Sequence, residues 1–390
     1  MISLKNFRPV WVEINLDNLG HNLREIRRLV GEEVIITSVI KADGYGHGAV
    51  AITKTLLDNG SNRFAVATLS EAIELRKSGI KEDILILGYT PECQDRLILE
   101  NNISQTIYNI DHAKAISEAA KQLGMTAKIH LKIDTGMGRL GFLPVTHSVE
   151  EIVNIFKLPN LYVEGVFSHF AKADEADKEP TNIQFQKFNW LIKEIEKKGI
   201  EIPIKHIANS AAIIDLPEYH LDMVRPGIML YGLYPSEQVK KESVDLKPVM
   251  TLKASVSNVK TLKAGEGISY GHNFVTDNET KIATLPIGYA DGFTRLLNHK
   301  VEVSIKGKRI PIVGNICMDQ CMANVSSIED VKVGDTVTFF GDGSMDEPSV
   351  EEIANIVGTI NYEMICMINK RVPRVYIKSN EPIYIKDYLA

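Results

Sequence analysis

Cysteine is scarce in this chain: four residues in 390, at Cys93, Cys317, Cys321 and Cys366, with no regular spacing. That excludes a disulfide framework and a zinc ribbon, and makes reduced thiols the expected state with no metal centre. Long apolar runs are also missing, and nothing approaches the roughly 20 residues of a membrane span. The opening MISLKNFRPVW has no apolar core of the kind a secretory leader carries, so a cytoplasmic protein with no membrane partner is expected. A charge of one sign is lacking too. With 44 basic against 50 acidic residues and a net charge of -6, there is no basic field to condense on nucleic acid. Apolar residues are plentiful, at 44% of the chain, which suffices for a large core and argues against disorder. Small molecules and other copies of the chain remain as partners.

At about 150 residues per domain, the length suggests two domains. Between residues 33 and 232, eight short apolar runs read as strands: VIITSVIK, RFAVAT, DILILG, SQTIYNI, AKIHLKID, LYVEGVFSHF, IKHIANS and MVRPGIMLYG. Amphipathic stretches such as LSEAIELRKSG and DHAKAISEAAKQLG lie between them at helical spacing, most ending in glycine. Parallel strands need crossover helices, so eight strand-then-helix units predict an α/β fold, a (β/α)8 TIM-type barrel over residues 1–240. A doubly wound open sheet is the alternative. After residue 240 the pattern becomes that of short strands separated by Gly, Asn and Asp turns, which predicts a mostly β domain over 241–390. One helix interrupts it, SVEEIANIVG, with Ser349 and Glu352 at capping-box spacing. The first strand-like segment, VWVEINLD (10–17), could belong to either domain.

Lys41 ends an apolar strand and is followed at once by ADGYGHG. In a parallel barrel the carboxyl ends of the strands form the active face, which would place this lysine at the mouth. An isolated lysine there is ordinarily a solvated charge. Gly44, Gly46 and Gly48 weaken that reading, because they let backbone approach a ligand closely, and a desolvated lysine can form an imine. Arg139, His169, Ser210 and Arg225 stand at other strand ends. Singly, each has a structural alternative: surface charges for the arginines, a satisfied core or rim histidine, and a helix N-cap for Ser210. The Asn209–Ser210 helix start and the backbone of Gly227 and Ile228 offer amides that suit a phosphate.

Nine ordered motifs then identify a resemblance over nearly the whole chain: VIKADGYGHG, KIDTGMGRLGF, SHFAKAD, HIANSAA, VRPGIMLYG, ISYG, PIGYADGF, ICMDQ and GTINYE. The chain resembles alanine racemases. The resemblance implies a pyridoxal 5'-phosphate enzyme that interconverts L- and D-alanine and supplies D-alanine for the cell wall. It implies that Lys41 holds the cofactor aldehyde as an imine and is one of two catalytic bases, acting on the D-substrate. Tyr270, in the β domain, would be the other, acting on the L-substrate from the opposite face with its phenol tuned by cationic neighbours. In that family the β domain meets the barrel mouth of another subunit, so the resemblance implies a homodimer with shared active sites.

By the same resemblance, Arg225 contacts the pyridine nitrogen and leaves it unprotonated, since a guanidinium can only donate. His169 would pack near the ring and orient Arg225 or the tyrosine. Tyr45, Ser210 and Tyr362 would give hydroxyls to the phosphate, with the amides of Gly227 and Ile228. Arg139 and the amide of Met318 would hold the substrate carboxylate, and Lys132, often carbamylated in the family, would orient Arg139. Tyr289, Asp174 and Arg295 would line the access corridor, where GNICMDQ carries Asn315 in place of the arginine of many members. Cys317 and Asp319 would be supporting residues, and their proximity also fits the related amino-acid decarboxylases, although Lys41 paired with Tyr270 favours racemisation. A cofactor-binding protein without turnover would lack the β region.

Overall fold

The computed structural model describes residues 8–387. The chain divides into two compact units. One comprises Gly20–Gly44 and Ala49–Leu246; the other takes the chain up to Leu19, Tyr45–Gly48, and everything from Lys247 onward. Among the described residues no helix is long and apolar enough to cross a membrane.

After β1 (Val10–Asn15) come the eight strands of the first unit: β2 (Ile35–Val39), β3 (Arg63–Val66), β4 (Ile84–Ile86), β5 (Ser104–Ile107), β6 (Ala127–Lys132), β7 (Leu161–Phe167), β8 (Ile204–His206) and β9 (Met223–Val224). They form one parallel sheet in the order β8-β7-β6-β5-β4-β3-β2-β9. Two backbone hydrogen bonds draw its ends together, Asp222 N–H to the Lys205 carbonyl and Arg225 N–H to the Ala208 carbonyl, each at 3.1 Å. The result is a near-closed barrel, as the alternation of runs predicts. Strands buried on both faces read as apolar runs, and Ile36, Phe64, Ile84, Ile129 and Val166 are all inaccessible. Helices intervene with ordinary signals at their ends: Thr68 and Glu71 form a capping box on Leu69–Lys77, and Gly124, at φ +64, ends Ile110–Leu123 in the left-handed conformation.

One expected strand is mostly something else. MVRPGIMLYG contributes only Met223–Val224 to the sheet, and Ile228–Tyr231 is a 3-10 turn. Pro226 has no N–H for a ladder; its carbonyl accepts from Val39 N–H and the chain then turns away.

The second unit contains β10 (Met250–Ser255), β11 (Asn258–Leu262), β12 (Gly267–Ile268), β13 (Phe274–Val275), β14 (Thr280–Leu285), β15 (Glu302–Ile305), β16 (Lys308–Val313), β17 (Cys321–Asn324), β18 (Thr336–Phe340), β19 (Arg374–Lys378) and β20 (Glu381–Lys386). Ten strands form a sheet in the order β11-β14-β17-β16-β15-β18-β10-β1-β19-β20, and β12 with β13 makes a separate hairpin. The amino-terminal strand β1 thus lies inside this sheet, antiparallel to β10 and parallel to β19. The helix Val350–Val357 starts at Ser349, whose hydroxyl accepts from Glu352 N–H, and ends at Gly358 with φ +80. The reciprocal half of the expected capping box is replaced by an ion pair, since the Glu352 carboxylate bonds Arg309 at 2.5 Å.

Candidate active site

Lys41 follows β2 by two residues and opens a turn of unusual hand. Ala42, Asp43, Gly44 and Tyr45 have φ of +52°, +53°, +64° and +52°, a left-handed helical turn. Each non-glycine residue there costs about 1–2 kcal/mol, so the turn must be held from outside. Glu71 accepts from Ala42 N–H at 2.6 Å, and Asp43 accepts from Ala49 N–H at 2.8 Å. The glycines of ADGYGHG are therefore one part of a longer left-handed segment, which the sequence pattern did not reveal.

Arg139 is presented by a polar loop after β6. The Asp134 carboxylate accepts from the backbone N–H groups of Gly136, Gly138 and Arg139 at 3.0–3.1 Å, which explains the DTGMGR wording. Lys132 is buried at the end of β6, donating to the Ile133 carbonyl at 2.7 Å. Burial first, then the charges of Arg225 and Arg139, pull its amine down to about 7. His169 is held well below its ordinary value by burial first and then by the basic groups of Arg225, Lys132, Arg139 and Lys41. Ser210 proves to be the first residue of Ser210–Asp215 rather than its cap; Asn209 caps that helix through Ala212 N–H. The Ser210 hydroxyl instead accepts from Gly227 N–H at 2.9 Å, so these two expected anion contacts converge. Ile228 begins the 3-10 turn beside them. Asp174 stands in the same unit, its carbonyl accepting from Ser236.

Arg225 is 4% exposed, and burial pulls its guanidinium down to about 9, still charged at neutral pH. It donates to the carbonyls of Ser168 (2.8 Å) and Ile207 (3.2 Å), lies 3.4 Å from His169 Nδ1, and meets His206 Nδ1 at 2.6 Å. Because guanidinium only donates, His206 Nδ1 must accept and its Nε2 must carry the proton. That Nε2 is 2.9 Å from His130 Nδ1, and His130 Nε2 is 2.8 Å from the Glu164 carboxylate. The polarity is therefore fixed from Arg225 through two neutral imidazoles to one ionised carboxylate. Glu164 also pairs with Arg63 through two contacts of 3.1 and 3.3 Å. A Cβ on Gly165 would stand 2.6 Å from the His130 ring, so glycine is required beside the glutamate. Sequence reasoning passed over His130, Glu164, His206 and Arg63; the signal was polar residues inside otherwise apolar parallel strands, which survive burial only when paired.

Burial alone would raise the Glu164 carboxyl, but His130 and Arg63 hold it down at about 2. Its contribution to folding is complete above the ordinary value of 4.5 and is lost as pH falls toward about 2. Glu164→Gln is expected to cost about 3 kcal/mol at neutral pH by stranding part of a buried pair. Denaturant unfolding of both proteins from pH 7 to 3 checks this: the difference should shrink as the pH drops.

In the second unit, Tyr45 is buried, with its ring 6.3 Å from that of Tyr362. Burial, and then Cys366, push its phenol upward. Arg374 donates to the Gly46 carbonyl at 3.1 Å and the Tyr376 hydroxyl to the His47 carbonyl at 3.0 Å, fixing this segment. A Cβ on Gly46 would meet the Ile365 carbonyl at 2.5 Å.

Tyr270 is 74% exposed, on the rim of an open cavity of about 1020 Å³ that Cys317, Met318 and Asp319 also line. The preceding Ser269 has φ +65° and ψ -174°, a region that costs residues with a side chain about 1–3 kcal/mol. Asn315 donates from Nδ2 to the Tyr270 carbonyl at 2.7 Å. Arg371 ties Asp319 to the buried Asp291, which Arg8 also holds. Tyr289 joins this loop through its N–H to the Cys317 carbonyl at 3.1 Å. Arg295 is exposed on a separate 3-10 turn and is not among the described residues lining the cavity.

The chain matches the alanine racemase N-terminal domain over residues 14–235 and the alanine racemase C-terminal domain over 249–376. It is 51% identical over 385 residues to alanine racemase 1 of Clostridium acetobutylicum, covering 99% of this chain and 100% of that one. It is 52% identical over 387 residues to the alanine racemase of Clostridium tetani, with 99% and 100% covered. The solved alanine racemase of Clostridium difficile in complex with cycloserine superposes with a TM-score of 0.94 at 45% identity over all of both chains. That of Bacillus anthracis with bound L-Ala-P gives 0.92 at 36% identity, over 98% of each chain.

Proposed function

The chain belongs to the alanine racemase family and is a pyridoxal-phosphate-dependent isomerase of alanine; from that premise we propose that Lys41 and Tyr270 are its two proton-transfer groups. The single observation that carries the assignment on the barrel side is a cluster of basic side chains: Arg225 lies 3.4 Å from His169 Nδ1, Lys132 and Arg225 sit 5.3 and 5.2 Å from the centre of the Phe167 ring, and Arg139 and Lys41 act on the same imidazole. Asp134 is the carboxylate beside Lys132, and its oxygens are occupied by backbone N–H groups. Such an excess of basic groups, with Arg225 charged at neutral pH, suits a phosphate and a substrate carboxylate. The residues present therefore fit the cofactor.

When bound, the cofactor supplies the electron sink that makes the Cα proton of alanine removable. Lys41 would hold its aldehyde carbon and would take or return the Cα proton on the D side. Arg225, able only to donate, would face the ring nitrogen and keep it unprotonated. Ser210 and the amides of Gly227 and Ile228 would hold the phosphate, with the hydroxyls of Tyr45 and Tyr362. Arg139 and the Met318 amide would grip the substrate carboxylate. Tyr270 would serve the opposite face from a second copy of the chain, which its exposure beside an open cavity supports. On this reading a homodimer is the catalytic unit. The scarcity and irregular spacing of the chain's four cysteines support a cytoplasmic setting.

Chiral chromatography of alanine after incubation with the purified, cofactor-loaded protein tests the activity. Either enantiomer should relax to an equal mixture, and one left unchanged would overturn the reading. Serine and 2-aminobutyrate in parallel would define the substrate range.

Lys132 carries a separate expectation. Carbon dioxide adds to a neutral amine, and an amine held near 7 is neutral in large part at physiological pH. With ¹³C-bicarbonate, a carbamate resonance is expected that grows as pH rises through about 7 and is missing from Lys132→Ala. An identical signal in that variant would remove Lys132 from the account.

A further inference from the structure

Tyr270 is the most exposed of the proposed catalytic groups, so the placement of its phenol within its own chain depends on the backbone that carries it. That backbone is a strained turn: Ser269 occupies a region natural only to glycine, followed by Gly271 at φ +75° and His272 at φ +45°. Strain of this kind persists only where neighbours over-determine it. The neighbours here converge on one residue, through its side chain and its backbone carbonyl. Asn315 donates from Nδ2 to the Tyr270 carbonyl at 2.7 Å, and its own carbonyl accepts from the Ser269 hydroxyl at 2.7 Å.

The orientation of the Asn315 amide is itself fixed by a chain of obligatory partners. Ile316 N–H can only donate, and it donates to Asn298 Oδ1 at 2.8 Å. Asn298 must then turn its Nδ2 toward Asn315, where it meets Oδ1 at 3.0 Å. Asn315 is left with Nδ2 to point at the Tyr270 carbonyl, an acceptor. Asn315 is 8% exposed, so these bonds form away from bulk water. Asn315 also leads into Cys317 and Met318, and the Ser269 hydroxyl lies 3.4 Å from the Cys317 sulfur.

We propose that Asn315 is a positioning residue for Tyr270, locking the strained 269–272 turn to the loop that carries Met318 so that the proton-transfer group and the carboxylate-binding amide form one rigid piece. The inference rests on the assignment of Tyr270 as the base for the L-isomer. The Asn315 side chain acts through backbone and touches no reacting atom.

Asn315→Asp tests this, because the new side chain keeps its shape and its bond to Asn298 but sets a carboxylate against the Tyr270 carbonyl. The expected result is a fall in kcat on the order of tenfold, with KM for alanine within about twofold. Isotope effects supply the readout that general damage would not move. With Cα-deuterated L-alanine the effect should rise, since Tyr270 breaks that bond and its step becomes more limiting. With Cα-deuterated D-alanine it should fall, since Lys41 breaks that bond and the slowed step comes later.

Ser269→Gly is the second variant. It removes the hydroxyl tether while relieving the backbone, so the thermal midpoint should stay within about 4 °C of the parent while the two isotope effects diverge in the same sense. Parental kinetics in both variants, or lower kcat with both isotope effects unchanged, would overturn the proposal. Tyr270→Phe alongside separates the two possible failures. Parental isotope effects there overturn the tyrosine assignment and this inference with it; divergence there but not in the other two variants overturns this inference alone.

Discussion

Lys41→Ala is expected to slow racemisation by more than about 10³-fold, because it removes both the covalent anchor and one of two proton-transfer groups. Borohydride should no longer fix the cofactor to the protein, as intact-mass measurement before and after reduction would show. The competitor to watch is Lys132, the other lysine facing His169, whose amine burial holds near 7. Reduction that still joins cofactor to the variant, mapped to Lys132, would reassign the anchor. The fold should tolerate the change. The left-handed turn is secured by Glu71 and Asp43 through backbone N–H groups, none of which involves the lysine side chain.

Tyr270→Phe is expected to lower kcat/KM by about 10³-fold, and by the same factor for both enantiomers. Equality is forced, because the equilibrium constant between mirror-image substrates is one. The asymmetry must therefore be sought in isotope effects, which should rise from L-alanine and fall from D-alanine. Mixing this variant with Lys41→Ala tests the sharing of sites between copies. If each site takes its lysine from one chain and its tyrosine from the other, random exchange makes about half the dimers mixed, each with one intact site of two, restoring about a quarter of parental activity. If each site takes both groups from one chain, the mixture stays inactive. Unequal kcat/KM losses would signal an assay artefact, and equal isotope effects would remove Tyr270 as a base.

Much of the barrel was legible because its signal is local. Parallel strands buried on both faces must be apolar, so IITSV, RFAV and ILI announce themselves. MVRPGIMLYG misled for the same reason: its apolar residues are buried, but in a 3-10 turn that Pro226 imposes. Ser210 was misread by one position, since Asn and Ser are both good caps and only geometry shows which side chain reaches Ala212 N–H. The chain from Arg225 to Glu164 was hidden because it joins residues on four separate strands or strand ends, and no periodicity links His130 to His206. Asn315 was visible as a departure from the usual arginine, and sequence alone suggested a change in corridor charge. Its hydrogen bonds assign it instead to the backbone of Tyr270, a contact that no spacing rule could find across 45 residues.

The position of β1 has a consequence for the growing polypeptide. Val10–Asn15 emerges early, yet its partners are β10, beginning at Met250, and β19, ending at Lys378. At about 5–20 residues per second, the apolar VWVEIN segment waits roughly 10–50 s for its first neighbour and longer for its second. During that interval both of its edges are open to other nascent chains. A fragment beginning at Lys247 would lack the strand that belongs between β10 and β19, leaving both with a vacant side. Shortening the amino terminus past Val10 is therefore expected to destabilise the sheet that holds β10 and β19 before it affects the barrel strands, which amide hydrogen exchange of the truncated protein would show.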